Sequence, residues 1–329
     1  MQVAFLILNH RHPAQLVRLL SALRSQLPDS PIVVHHDAFH GELPSPVIEP
    51  FSNTHLLTSG KRIFWGDSSI TEVCCWSLAW MREHLEFDWV VLLSAQDYPI
   101  KPLAGLGDDL AGNGADAVFR ATPISEVTRA VERVDMRNRY LYQYRPARAD
   151  RPGSLLGGVR KSLRRSTGGL IFALNMAQPL FKIYRLPDGM PYRFGWRARW
   201  MPFDESGPCW KGSQWFAMSR GALDYVLTYM ADHPEYVDYY RRTMVPDESM
   251  IATIVFNSPD LRVANRDVTY TRWANWQSGH PDTFRDGDLP ELIAAPQYFA
   301  RKFDLDADAR ILDDLDQFMA QPARSVTHS

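Results

Sequence analysis

Cysteine is scarce in this 329-residue chain: Cys74, Cys75 and Cys209 are the three present. Two are adjacent, so no disulfide framework is implied, no Cys/His spacing resembles a zinc site, and a reducing compartment fits best. Long apolar runs are lacking too. None approaches the roughly 18 residues of a membrane span. The opening MQVAFLILNHRHP has six consecutive apolar residues after Gln2, without a basic flank ahead of them or a small-residue cleavage site, and is not read as a signal peptide. No G-x-G-x-x-G follows the first strand and no P-loop occurs, which disfavours nicotinamide and P-loop nucleotide chemistry. An Asp-x-Asp metal clamp after a buried strand is also missing, because SAQDYPIK supplies Asp97 alone. Asp-x-Asp strings occur at Asp286–Asp288, Asp304–Asp306, Asp306–Asp308 and Asp314–Asp316. These lie in polar segments with no strand before them and are read as surface charge.

What is present is a composition, 45% hydrophobic and 22% charged, that supports a large core in one large or two medium domains. The net charge of −2 says little, but its distribution is uneven. Residues 145–199 carry twelve Lys/Arg against two Asp, leaving 24 basic and 36 acidic residues elsewhere. Within that basic segment, residues 158–186 mix arginines with LIFALNMAQPLF. Three readings stay open: an amphipathic helix on an anionic surface, a basic lid over a site, or a solvated insertion with a small apolar satellite.

Strand and helix signals alternate through the first hundred residues. VAFLILN reads as a strand buried on both faces, followed by a helix with Pro13 at its first position and leucines at helical spacing. PIVVHHD and HLLTS follow as strands, then the helix SSITEVCCWSLAWMREHL, where Ser69 and Glu72 have capping-box spacing, then the strand FDWVVLLS. This alternation predicts an α/β fold with an open, mostly parallel sheet flanked by helices, and such sheets bind ligands beyond the carboxyl ends of their strands. WKGSQWFAMSR predicts a Gly-Ser turn and an apolar run, with a helix opening near Ser219. MVPDESMIATIVF predicts a helix starting at Pro246 or Asp247. The tail from Gln321 is expected to fray.

Several stretches carry candidate chemistry, each with a plainer reading beside it. His36 and Asp37 end the second strand, where a carboxylate accepts from sugar hydroxyls, although a polar strand exit needs no function. Trp65 and Gly66 precede a helix whose free N–H groups suit an anion, as would an ordinary cap. Arg301 and Lys302 in ARKFD are adjacent cations able to neutralise a diphosphate without a metal, and in isolation equally a solvated basic turn. Trp273 and Trp276 in RWANWQSGHP suit stacking on sugar rings, or a core. Asp247 and Glu248 are two carboxylates that an acidic helix start would also explain.

In order along the chain, VHHD, RIFWGDSS, LLSAQDYPIK, WKGSQWFAMSR, VPDES, WQSGHP and FARKFD resemble the core-2/I-branching β-1,6-N-acetylglucosaminyltransferase family, which also contains the peptide O-xylosyltransferases. The seven elements reach from the first strand to about residue 305. The resemblance implies a GT-A-type glycosyltransferase fold, a UDP-sugar donor, an inverting reaction and no metal or other cofactor. It implies Glu248 as catalytic base and Lys302, with Arg301, facing the diphosphate. His36, Asp37, Trp65, Gly66 and Asp97 fall in the donor region. Asp247, Lys211, Gly212, Ser213, Trp215, Trp273 and Trp276 fall in the acceptor region. One domain over 1–320 is expected: a nucleotide-sugar half at 1–110, a basic variable insertion at 140–205, an acceptor and catalytic half at 206–320, then the tail 321–329. The insertion does not match the family's acceptor region. UDP-N-acetylglucosamine is the expected donor, with UDP-xylose or a silent sugar-binding module as alternatives. The expected partners are the donor and a glycan acceptor, with peripheral membrane contact through residues 145–199 and no nucleic acid. The expected location is cytoplasmic or at the inner membrane face.

Overall fold

A computed structural model describes residues 1–41, 43, 45–112, 114–146, 169–185, 192–274 and 280–320. The strands are β1 (Val3–Asn9), β2 (Ile32–His36), β3 (Thr54–Leu57), β4 (Trp89–Ser94), β5 (Asp97–Pro99), β6 (Ala117–Pro123), β7 (Tyr142–Pro146), β8 (Phe181–Arg185), β9 (Tyr192–Arg197), β10 (Trp210–Ser219), β11 (Val263–Ala264), β12 (Thr269–Thr271) and β13 (Phe299–Arg301). The helices are α1 (Pro13–Gln26), α2 (Ser68–His84), α3 (Leu106–Ala111), α4 (Ala130–Tyr140), α5 (169–177), α6 (Arg220–Asp232), α7 (Pro234–Tyr240), α8 (Met250–Phe256), α9 (Leu289–Ala294) and α10 (Arg310–Ala320).

Seven strands form the main sheet in the order β11-β6-β10-β4-β1-β2-β3. The β4-β1-β2-β3 run and the β11-β6 pair are parallel, while β10 runs antiparallel to both neighbours. The mostly parallel α/β sheet expected from the alternation is therefore present. The antiparallel β10 was not legible, since no helix crossover precedes it. Alternating residues of β1 explain why its sequence is continuously apolar. Val3, Phe5 and Ile7 enter a core with α1 and α10, whereas Ala4 and Leu6 enter one with α2, α6 and α8.

Two smaller sheets flank this one, β12-β13-β5 and β7-β9-β8. The first threads FARKFD into the body: Arg301 pairs with Asp97 across β13 and β5. The turn expected at ARKFD is therefore a strand end. Gln15 in α1 fastens it, donating from Nε2 to Ala95 O and Phe303 O at 3.1 and 2.8 Å and accepting from Leu305 N at 3.0 Å.

Local details correct three expectations. Helix α2 is capped by Asp67, whose Oδ1 accepts from Ser69 N, and not by a Ser69–Glu72 box. Glu72 instead pairs with Ser68 Oγ and Lys61. WKGSQWFAMS is one strand with an irregularity between Gly212 and Phe216, and not a turn followed by a strand. Pro246–Glu248 forms a separate 3-10 turn broken from α8 at Ser249. Val245, at φ 51°, reverses the chain ahead of Pro246, and the extended φ of −141° at Ser249 separates the turn from α8.

Candidate active site

The left-handed conformation of Val245 is unusual for a β-branched residue and needs support from its surroundings. Two bonds supply it. Val245 N donates to Gly66 O at 2.9 Å, and Tyr140 Oη donates to Val245 O at 3.1 Å. Gly66 has φ 79°, which glycine tolerates. The WG element and the PDE turn, far apart in sequence, are thus one construction.

That turn faces a cleft of about 560 Å³. Asp247, Glu248, Trp65, Lys211, Trp215 and Arg301 line it, as do Gly212, Ser213 and Trp273. Donor and acceptor candidates from five separate sequence elements therefore share one space. His36, Asp37, Gly66, Asp97 and Lys302 are not among the lining residues, and Trp276 lies outside the described residues.

The two carboxylates sit in different surroundings. Glu248 Oε2 accepts from Arg139 Nη1 at 3.0 Å. Arg139 projects from the last turn of α4 and also meets Asp135 Oδ2 at 2.8 Å and Tyr184 Oη at 3.1 Å. Asp247 has no such cation. Its Oδ1 is buried without a hydrogen-bond partner, although the residue as a whole opens on the cleft. Burial first, then the neighbouring charge of Glu248, push the Asp247 carboxyl up to about 7.

Arg301 is held on both sides. Its guanidinium carbon lies 4.0 Å from the centre of the Trp215 ring, and Nε is 3.5 Å from Asp97 Oδ1. Asp97 is buried and committed to the protein, accepting from Ser94 N at 3.0 Å and Ser94 Oγ at 2.8 Å. Burial raises its carboxyl above the usual range. Lys302 is only partly buried, and burial followed by the charges of Arg301 and Arg11 lowers its ammonium. Arg11, from the loop after β1, thus joins the same cationic region.

His36 and Asp37 are buried at the end of β2. The ring nitrogens of His36 lie 2.9 Å from Asn9 Nδ2 and 2.7 Å from Gly41 O. Asp37 accepts from Phe39 N at 3.0 Å and lies 2.7 Å from His40 Nδ1. These contacts shape the strand exit. His12, Asp304 and Asp306 bring ligand atoms within 4.8 Å of one another, the one such group among the described residues able to hold a metal ion. Sequence reasoning treated this Asp-x-Asp as surface charge because the fold, not the spacing, brings His12 to it.

Arg139 and Arg11 escaped the sequence reading. Asp135 and Arg139 carry an i, i+4 signal, but that spacing reads as an ordinary helix-surface pair.

Residues 197–297 match the family model of the Core-2/I-Branching enzymes, a stretch that holds β10, the PDE turn and Trp273. Human (Homo sapiens) xylosyltransferase 1 is 23% identical over 342 residues, covering 97% of this chain and 30% of that protein. Xylosyltransferase oxt of Drosophila melanogaster is 25% identical over 352 residues, covering 98% of this chain and 34% of that protein. Mouse (Mus musculus) xylosyltransferase 2 is 30% identical over 124 residues, 32% of this chain and 14% of that protein. The chain spans about a third of the length of the long-matching relatives. The chain is thus similar to the Core-2/I-Branching enzymes over residues 197–297 and, at low identity over most of its length, to xylosyltransferases, the family that its motifs resemble.

Proposed function

We propose that the chain transfers a sugar from a UDP-sugar to a hydroxyl of a glycan acceptor by one inverting displacement. The observation that carries this reading is the meeting of Glu248 and Arg301 in one cleft, a carboxylate base and a cation within a single enclosure. Glu248 removes the proton of the attacking hydroxyl, the oxygen bonds to the anomeric carbon, and the bond to the diphosphate breaks on the opposite face. One displacement inverts the centre, so one base suffices, unlike the carboxylate pair of a glycosidase. Arg301 and Lys302 receive the charge growing on the leaving diphosphate, the task a divalent metal performs in other sites. No metal is required in this scheme. Trp215, Trp273, Lys211, Gly212 and Ser213 offer the acceptor a stacking and hydrogen-bonding wall, and residues 145–199 serve acceptor or membrane contact.

UDP-N-acetylglucosamine is one donor reading. UDP-xylose is the other, and the names of the three relatives weigh toward it. Replacing Glu248 by Gln removes the base and is expected to cost about 10²–10⁴-fold in turnover while leaving UDP binding nearly intact. The measurement is product formation with each donor beside UDP titration calorimetry. Wild-type turnover in the variant would rule Glu248 out as base.

A further inference from the structure

Helix α5 is turned the wrong way for a water-facing surface. A helix on a globular body buries its apolar stripe and exposes its polar one. Here Asn175, and Gln178 just beyond the helix, face β8, on the side that also carries Ile171. Asn175 donates to Ile183 O and accepts from Ile183 N, both at 2.9 Å, and Gln178 donates to Phe181 O at 2.7 Å. Lys182 donates back to the carbonyls of Asn175 and Gln178. Leu170 and Leu174 on one flank of that side, and Phe172 and Met176 on the other, are exposed, Phe172 to 67%.

The adjoining β7-β9-β8 sheet repeats the pattern. Its inner face presents Tyr142, Tyr144 and Tyr184; Tyr142 and Tyr144 share a core with Met244 and Val245, against which Tyr184 packs. Register puts Phe181 and Gln143 beside Trp196, and Ile183 and Arg145 beside Phe194, on the other face. Trp196 is 63% exposed there and Phe194 is also exposed. An antiparallel sheet with one face on the core ordinarily turns polar side chains outward on the other. Arg145 and Arg199 are exposed around this surface, and neither lies within ion-pair distance of a carboxylate among the described residues. Contiguous uncovered apolar surface of this kind marks an interaction site.

We propose that α5 and the outer face of β7-β9-β8 form a docking surface for an anionic lipid bilayer. The partner follows from two complementarities. Outward Leu, Phe, Met and Trp side chains suit the boundary between headgroups and acyl chains, where tryptophan is favoured. The segment's twelve Lys/Arg against two Asp suit anionic headgroups. No helix among the described residues is long and apolar enough to cross a membrane, so the contact lies in the interface plane.

The test is flotation of the full chain with phosphatidylcholine vesicles, with and without phosphatidylglycerol, alongside light scattering of the protein alone. Binding is expected to the anionic vesicles and to weaken as salt rises. Replacing Arg145 and Arg199 by Glu should lower affinity at least about fivefold for each arginine lost. Replacing Phe172 and Trp196 by Ser should lower it about tenfold or more for each, with an unchanged melting temperature since both are exposed. Failure to float at low salt, or equal flotation of the Ser variants, overturns the proposal. So does a wild-type dimer that the Ser variants turn into monomers, because the surface would then belong to a second copy. Flotation needs no donor or turnover, so its outcome is independent of the transfer reaction proposed above.

Discussion

Asp247 and Glu248 are neighbours in sequence with opposite situations. Glu248 has Arg139 to hold it, and Asp247 has a buried oxygen with no partner and a carboxyl raised to about 7. A carboxyl that titrates near 7 when folded and near 4 when unfolded takes up a proton on folding between those values. Stability therefore falls as pH rises through that window, and the deficit is complete above it. Replacing Asp247 by Asn is expected to raise the melting temperature by a few degrees at about pH 8 and by little at about pH 4. Calorimetry at both pH values reads this, and equal shifts would show that burial of charge is not the cause. Tyr184→Phe tests the grip on the base from the other side. Losing its hydroxyl frees one bond of Arg139, and kcat should fall several-fold with little change in donor KM. From the sequence, Glu248 was separable from Asp247 only through the order of motifs around it. Neither Arg139 nor the enclosure of Arg301 by Trp215 and Asp97 was legible, because both depend on contacts between residues far apart in the chain.

At the scale of elements, β10 carries the most constraint. A Cβ on Gly212 would lie 3.0 Å from Ala252 Cβ and from Arg120 O, and 3.3 Å from Ala121 Cβ. Glycine here lets α8 approach the sheet beside the PDE turn. Gly212→Ala should cost about 1–3 kcal/mol through overpacking and also disturb the cleft. Urea unfolding combined with a turnover assay reads both effects, and a variant of unchanged stability would show that α8 yields freely. The apolar periodicities predicted most strands and helices well, since β1, β2, β4 and α1 are buried in patterns that period alone encodes. The start of α2 at Ser68 was legible, but its cap was not, since Asp67 supplies it in place of the expected Ser69–Glu72 pair. In sequence, residues 158–186 left a helix on an anionic surface, a basic lid and a solvated insertion all open, and nothing marked the side of Asn175 as inward. That side turned inward because Asn175 and Gln178 satisfy the edge of β8, a competition that no hydropathy period records.

For the whole molecule, donor identity and metal use are the open quantities, and both are measurable on the intact chain. UDP and one UDP-sugar should raise the melting temperature, since a ligand at a hundredfold its Kd stabilises by about 2.7 kcal/mol. No shift with any UDP-sugar would undercut the proposed reaction. Chelation with EDTA should leave transfer intact, and complete loss of activity would direct attention to His12, Asp304 and Asp306. Arg139 sets a further limit, on how such a protein can be recombined. One guanidinium joins the last turn of α4 to the middle of β8, so the base and the outward sheet are coupled through a triad of Asp135, Arg139 and Tyr184. A chimera cut at residue 140 would divide that triad between two parents. The workable crossover lies ahead of Asp135, where all three partners are inherited together.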